Sequence, residues 1–238
     1  FTNLSQDHFD YHKTKDRYFA AKSKLFTDYL NPGGAAIINL DDAYGRRLIE
    51  SIHKINQGQI LTYGVIRKAD IMAKNIDLRA KGSKFKICLK KDSFEVSTSL
   101  IGLFNVYNIL AAVGSCLKLG VPVEYVRKGV KNISIPGRLE LVGSLGETRI
   151  FVDYAHTEDA LRKALSSLRG LGGQTRIIAV FGCGGNRDRD KRHKMGRAAE
   201  ELADSIIITS DNPRFERPRE IIKDIKKGIR RKNALSSN

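Results

Sequence analysis

From Gly137 onward, short apolar runs alternate with amphipathic stretches, and this alternation constrains the fold more than any other feature. "RIIAVFGCGG" (Arg176–Gly185) and "SIIITS" (Ser205–Ser210) are nearly continuous apolar runs, the pattern of strands covered on both faces. "TRIFVDYAHT" (Thr148–Thr157) reads as another such strand. Between the runs, Thr157 can cap a helix whose Leu161, Ala164, Leu165 and Leu168 recur at i, i+3, i+4 and i+7. A second helix is predicted over about 191–203, and Ile221, Ile222, Ile225 and Ile229 mark a third. Strand and helix in alternation imply a parallel sheet. Ligands bind such sheets beyond the carboxyl ends of the strands. Three strands here end in polar clusters: Asp153–Thr157, Gly182–Arg192 and Asp211–Arg214. The pattern predicts all three on one edge, although every strand-to-helix loop is polar to some degree. The glycines Gly182, Gly184 and Gly185 would let backbone N–H groups approach a ligand.

The first part of the chain has a different rhythm. A helix is predicted over about 13–30, with Tyr18, Leu25, Phe26 and Tyr29 on one face and Lys22 in the middle of it. A lysine so placed snorkels, pairs or loses its charge. "AAIINL" (Ala35–Leu40) reads as a buried strand, and "KFKICLK" with "SFEVSTSL" as an antiparallel hairpin. "FNVYNILAAVGSCLKLG" reads as a helix closed by Gly120, followed by a shorter helix over 123–131. The change of rhythm puts a domain boundary at Pro136-Gly137, with domains 1–135 and 136–238.

Bulk properties narrow the function classes. The formal net charge is +16, which raises nucleic acid as a partner. The basic residues are scattered and carry no nucleic-acid signature, so solvated lysine faces and a small anionic substrate account for them. Cys88, Cys116 and Cys183 form no CxxC pair, so neither a disulfide framework nor a zinc site is expected. No apolar run approaches the roughly 20 residues of a membrane span. A cytoplasmic monomer acting on small molecules, with no nucleic-acid or membrane partner, is the expectation. No GxxxxGK[ST] loop occurs in the 238 residues, so phosphate chemistry would need a P-loop from sequence before Phe1.

Eight collinear segments resemble the Mur ligases, and within them the members that add diaminopimelate. They are "TNLSQDHFDYH", "YFAAKSKLF", "NLDDAYGRRL", "GLFNVYNILAA", "PGRLE", "VDYAHTEDAL", "VFGCGGNRDRDKR" and "TSDNPRFERP". The resemblance implies the C-terminal portion of the family's central ATPase domain, mixed α/β with an antiparallel hairpin. A Rossmann-like C-terminal ligase domain follows it. The implied activity is ATP- and Mg²⁺-dependent amide formation in cytoplasmic peptidoglycan precursor synthesis. Diaminopimelate would be joined to UDP-MurNAc-L-Ala-D-Glu through an acyl phosphate.

By resemblance, Lys22 is a carbamylated lysine supporting Mg²⁺, with His8 as a metal-site histidine. Asn108, Arg138 and Asp153 match ATP contacts. Arg187 matches a contact to the incoming amino acid, and Asp211, Asn212, Pro213 and Arg214 match the diaminopimelate motif. Two positions depart from the usual pattern: Asn186 stands where "GGDRD" has aspartate, and Glu158 where proline is usual. The missing P-loop implies that the 238 residues alone do not ligate. Other superfamily members, such as folylpolyglutamate synthase, would share the ATP side but not "GCGGNRD" together with "DNPR".

Overall fold

In the computed structural model, the described residues are 1–5, 9–55, 58–131, 133, 135–171, 175–230 and 235–236. They form two compact units, Phe1–Ser5 with Thr14–Val152, and Gln6–Lys13 with Asp153–Asn238.

The elements of the first half are α1 (Phe9–His12), α2 (Lys15–Thr27), β1 (Ala35–Asn39), α3 (Ala43–Ile55), β2 (Gln59–Gly64), β3 (Ile71–Arg79), β4 (Gly82–Cys88) and β5 (Ser93–Thr98). α4 (Leu103–Lys118), α5 (Val123–Lys131), β6 (Glu140–Leu145) and β7 (Thr148–Val152) follow. The first unit is built on a five-stranded sheet in the order β1-β2-β3-β4-β5. β1, β2 and β3 run parallel, whereas β3–β4 and β4–β5 are antiparallel, so the hairpin read from the sequence is present. α4 seals one face of the sheet: Val106, Ile109, Leu110 and Val113 are buried with Tyr63, Ile71, Phe85 and Ile87. Gly120, at φ 77°, follows the end of α4 as expected.

α2 buries a different face from the one predicted. Phe19 and Ser23 are its buried residues, while Leu25 and Tyr29 are 63% and 72% exposed. Lys22 therefore lies on an exposed face and not on an apolar one. The periodicity misled because Ser23 sits in the buried stripe, where its hydroxyl donates to Phe19 O at 2.8 Å and satisfies itself within the helix.

The strand predicted at Thr148–Thr157 is also different. β7 stops at Val152 and pairs antiparallel with β6 in a sheet of its own. A two-residue turn, Gly146-Glu147, with Gly146 at φ 58°, leaves no room for a crossover and enforces a hairpin. Its side chains Ile150 and Val152 are half exposed.

The second unit contains α6 (Glu158–Arg169), β8 (Ile178–Phe181), α7 (Asp190–Leu202), β9 (Ser205–Ile208), α8 (Pro218–Lys226) and β10 (Leu235–Ser236). The three strands are parallel, in the order β10-β9-β8. Thr157 caps α6 by accepting from Ala160 N, and Glu158 accepts from Arg162 Nε at 3.0 Å one turn on. An acid in the first helical turn suits the helix dipole, so the absent proline costs the helix little. Leu161 and Leu165 pack with Met195, Ala199, Ile206, Ile208, Ile221 and Ile225 in the core of this unit.

Candidate active site

β8 and β9 are adjacent and parallel, and the segments that follow them are laced together. Gly185 N donates to Asn212 O at 2.9 Å. Arg214 Nη1 returns the contact, donating to Gly185 O at 2.7 Å. Phe215 N donates to Asn186 Oδ1 at 3.0 Å, and Asn186 N donates to Glu216 Oε1 at 2.5 Å. Within the turn, Asn212 Oδ1 accepts from Arg214 N at 3.2 Å. That bond closes a side-chain-assisted turn around Pro213.

The glycines have a more specific role than exposing N–H groups. A Cβ on Gly185 would lie 1.9 Å from Pro213 O, and one on Gly182 would lie 2.5 Å from Thr209 O. The "GCGG" run thus lets the β8 loop lie directly on the β9 turn. Asn186 and Arg214 both take left-handed backbone, with φ of 51° and 49°. Asparagine tolerates that conformation better than most residues. Its amide oxygen accepts the Phe215 N–H that a family aspartate would also accept, so the departure at 186 preserves the contact. Arg187, Asp211, Asn212 and Arg214 are exposed around this junction. Cys183 between the glycines is buried, and burial pushes its thiol up to about 11, so it stays protonated and unreactive at neutral pH.

Sequence reasoning missed the pair beneath these loops. Arg192, near the start of α7, is 0% exposed and meets Glu216 in a two-pronged contact: Nη2 to Oε1 at 2.8 Å and Nη1 to Oε2 at 3.0 Å. Nη1 also reaches Asp224 Oδ2 on α8 at 3.1 Å. The Arg192 side chain, the Asn186 N–H and Arg189 together hold the Glu216 carboxyl down at about 2. "DKR" (Asp190–Arg192) is the charged first turn of α7 and reads like any solvated helix start.

The other expected site residues are placed as follows. Asn108 is on α4, and its Nδ2 donates to Asn105 Oδ1 at 3.3 Å. Asn105, which the sequence reading passed over, is buried and anchored by its Nδ2 on Ile101 O at 2.8 Å. Arg138 lines a cavity of about 300 Å³ with Ala80, Lys81, Leu100, Ile101 and Glu140. Its loop is shaped by Gly137 N donating to Glu140 Oε2 at 2.7 Å. Asp153 Oδ1 accepts from Ala155 N at 2.8 Å. Asp153 leaves β7 and not a strand of the three-stranded sheet, so the expectation of three clusters on one sheet edge holds for two. Lys22 Nζ lies over the Tyr18 ring at 5.1 Å. His8 lies outside the described residues. Among the described residues, no group of three or more His, Cys, Asp or Glu side chains could hold a metal ion.

At the carboxyl end of β1, Asp41 gathers a further network. Its carboxylate accepts from Val65 N, Ile66 N and Arg67 N at 2.7, 3.0 and 2.7 Å, and from Tyr107 Oη on α4 at 2.8 Å. Burial pushes this carboxyl up, but the three backbone N–H groups and the phenol outweigh burial and hold it below the ordinary range. Asp42 beside it caps α3, accepting from Tyr44 N and Gly45 N. The "NLDD" segment thus fixes the β1 and β2 loops relative to α4.

The mixed α/β unit and the parallel three-stranded unit that follows it correspond to two successive domains of the Mur class of ligases. Residues 1–116 match the Mur ligase middle domain, and residues 137–237 match the Mur ligase glutamate ligase domain. The chain belongs to the Mur ligase family.

The relatives narrow the group. The chain is 47% identical over 235 residues to the UDP-N-acetylmuramoyl-L-alanyl-D-glutamate--2,6-diaminopimelate ligase of Aquifex aeolicus, covering 99% of this chain and 47% of the relative. It is 46% identical over 232 residues to the ligase of the same name from Synechococcus elongatus, covering 96% of this chain and 46% of the relative. It therefore spans about half the length of the curated relatives it matches. A solved structure with that ligase name aligns over 100% of this chain and 48% of its own, at 38% identity and a TM-score of 0.62. Folylpolyglutamate synthase from Mycobacterium tuberculosis aligns over 99% of this chain and 52% of its own at a TM-score of 0.80. At 16% identity, that likeness shows the fold alone.

Proposed function

We propose that these residues are the middle and C-terminal portion of an ATP-dependent ligase that adds meso-diaminopimelate to UDP-MurNAc-L-Ala-D-Glu. The lacing of "GCGGNRD" to "DNPR" carries the reading, because it seats Arg187 and Arg214 on two mutually braced loops. The bond to Gly185 O engages only one donor of the Arg214 guanidinium. The remaining fork suits a bidentate pair with the distal carboxylate of diaminopimelate. Asp211 offers a carboxylate to the ammonium group beside it. Lysine lacks the distal carboxylate and would leave Arg214 unpaired. Discrimination by an unpaired polar group reaches on the order of 10,000-fold.

On the nucleotide side, Asn108 braced by Asn105, Arg138 and Asp153 would contact ATP. A carboxylate oxygen of the dipeptide attacks the γ-phosphorus, ADP departs, and an acyl phosphate forms. The amine of diaminopimelate then attacks the acyl carbon, phosphate leaves, and the nitrogen loses its extra proton to give the amide. Cationic side chains at this centre stabilise the charge that develops on the transferring phosphoryl group. Lys22, as a carbamate, would offer oxygen to Mg²⁺, with His8 as a further ligand. Bound there, Mg²⁺ would neutralise phosphate charge. Identities of 47% to a named diaminopimelate ligase and 16% to folylpolyglutamate synthase favour this branch of the superfamily.

The test is the amino-acid dependence of phosphate release by the full-length protein supplied with ATP and UDP-MurNAc-L-Ala-D-Glu. Release with meso-diaminopimelate and not with L-lysine is expected. Release with lysine alone would overturn the specificity.

A further inference from the structure

Among the described residues, Arg192 is the largest fully buried side chain, and it is charged. Taking a guanidinium out of water is costly even when it is paired, and a well-packed apolar pair often serves stability as well or better. The contacts of its partner suggest what the charge is for. Glu216 Oε1 accepts from Arg192 Nη2 and Asn186 N, while Oε2 accepts from Arg192 Nη1 and forms an ion pair with Arg189 Nη2 at 3.0 Å. One carboxylate therefore ties the start of α7 to the loop after β8, from the turn that follows β9. Through Asp224, the same arginine is also tied to α8.

The lever is short. Asn186 adjoins Arg187, and Glu216 stands two residues beyond Arg214. The two left-handed residues, Asn186 and Arg214, sit inside this bracing. Strained backbone persists where surrounding contacts over-determine it.

We propose that Arg192 and Glu216 are positioning residues for amino-acid recognition: their pairing sets the spacing of the two loops and so the separation of Arg187 and Arg214. Neither side chain needs to touch the ligand. The proposal rests on the function proposed above for its ligand, but the loop spacing itself can be read without one.

The experiment compares the 238-residue chain with an R192M/E216L double variant, whose apolar pair removes both halves of the buried pair together, at the loss of one contact each for the Asn186 N–H and Asp224, and with R192K. Amide exchange is followed by NMR at Phe215, whose acceptor is Asn186 Oδ1 and not Glu216, normalised to Ala198 and Ala199 in α7. Meso-diaminopimelate is then titrated, with L-lysine as control. The double variant is expected to exchange at Phe215 at least ten-fold faster after normalisation, and to bind diaminopimelate at least ten-fold more weakly. R192K, which keeps a cation but loses the fork, is expected to fall between.

A purely structural pair would speed exchange across the whole unit equally and leave the normalised ratio unchanged; that result, or unaltered diaminopimelate affinity, overturns the proposal. If the double variant does not fold, the same normalised ratio in R192K decides. If the unaltered chain binds no diaminopimelate, the exchange ratio alone decides the positioning role, and the phosphate-release test on the full-length protein decides the substrate.

Discussion

Two carboxylates organise this chain, and they do so by different means. Asp41 in the first unit and Glu216 in the second are both saturated with donors, and both tie loops beyond parallel strands. Asp41 draws its donors from three consecutive backbone N–H groups and one phenol. Those groups are neutral and present whatever side chains occupy 65–67. Glu216 draws on two arginines and a single backbone N–H. Apart from Tyr107, the first network follows from the path of the chain, while the second depends chiefly on the identity of distant side chains. A scaffold is well served by the first kind, and a recognition loop whose two halves must agree is served by the second.

The largest way to break this contrast is Gly185→Ala. The new Cβ would meet Pro213 O at 1.9 Å, backbone against backbone, with no flexible atom to yield. A loss of about 3 kcal/mol from the second unit is expected in urea unfolding, with the first unit untouched. Asp41→Ala comes next. It strips the acceptor from three N–H groups and Tyr107, and about 2 kcal/mol of stability should be lost, confined to the first unit.

Acid sharpens the comparison further. Glu216 sits at about 2 against an ordinary 4.5, so its folded carboxyl is depressed. The stability it contributes is therefore complete above about 4.5 and drains away as pH falls toward about 2. In an acid titration, unfolding stability should fall across that window, whereas the Asn186 and Phe215 amides of the folded chain, followed by NMR, should shift only near its lower end, where the Glu216 carboxyl itself protonates. Glu216→Gln should abolish that step. The smallest effect is Asn186→Asp, which keeps the acceptor for Phe215 N; stability is expected to change by no more than about 0.5 kcal/mol.

Much of the fold was legible because burial imposes a period. The α4 stripe and the capped α6 follow directly from residue spacing, and β8 and β9 lie where their apolar runs put them; but Ile178 and Val180 are 54% and 61% exposed, so β8 is covered on one face and not on both as its composition implied. Two misreadings have physical causes. In α2, a serine bonded to its own helix occupies the buried stripe, so counting apolar residues rotated the helix and placed Lys22 inward. At Thr148–Val152, an apolar run looked like a parallel strand, while the turn before it, Gly146-Glu147, was the more informative feature.

The two laced loops of the candidate site were legible where a motif concentrates unusual residues, as at Asp211–Arg214 and Gly182–Arg187. It was not legible where the partners lie far apart in sequence. Nothing in "KR" or "FER" announces that Arg192 and Glu216 meet across 24 residues. Nor does Asn105 stand out from its helix as the brace for Asn108.

The most direct measurement is the effect of Arg214→Ala on steady-state kinetics of the full-length ligase with meso-diaminopimelate and ATP each varied. The account predicts that kcat/KM for diaminopimelate falls by at least about 100-fold, as expected for loss of a charge-assisted bidentate pair, while the KM for ATP changes less than about three-fold. Equal losses for both substrates, or undiminished use of diaminopimelate, would contradict it.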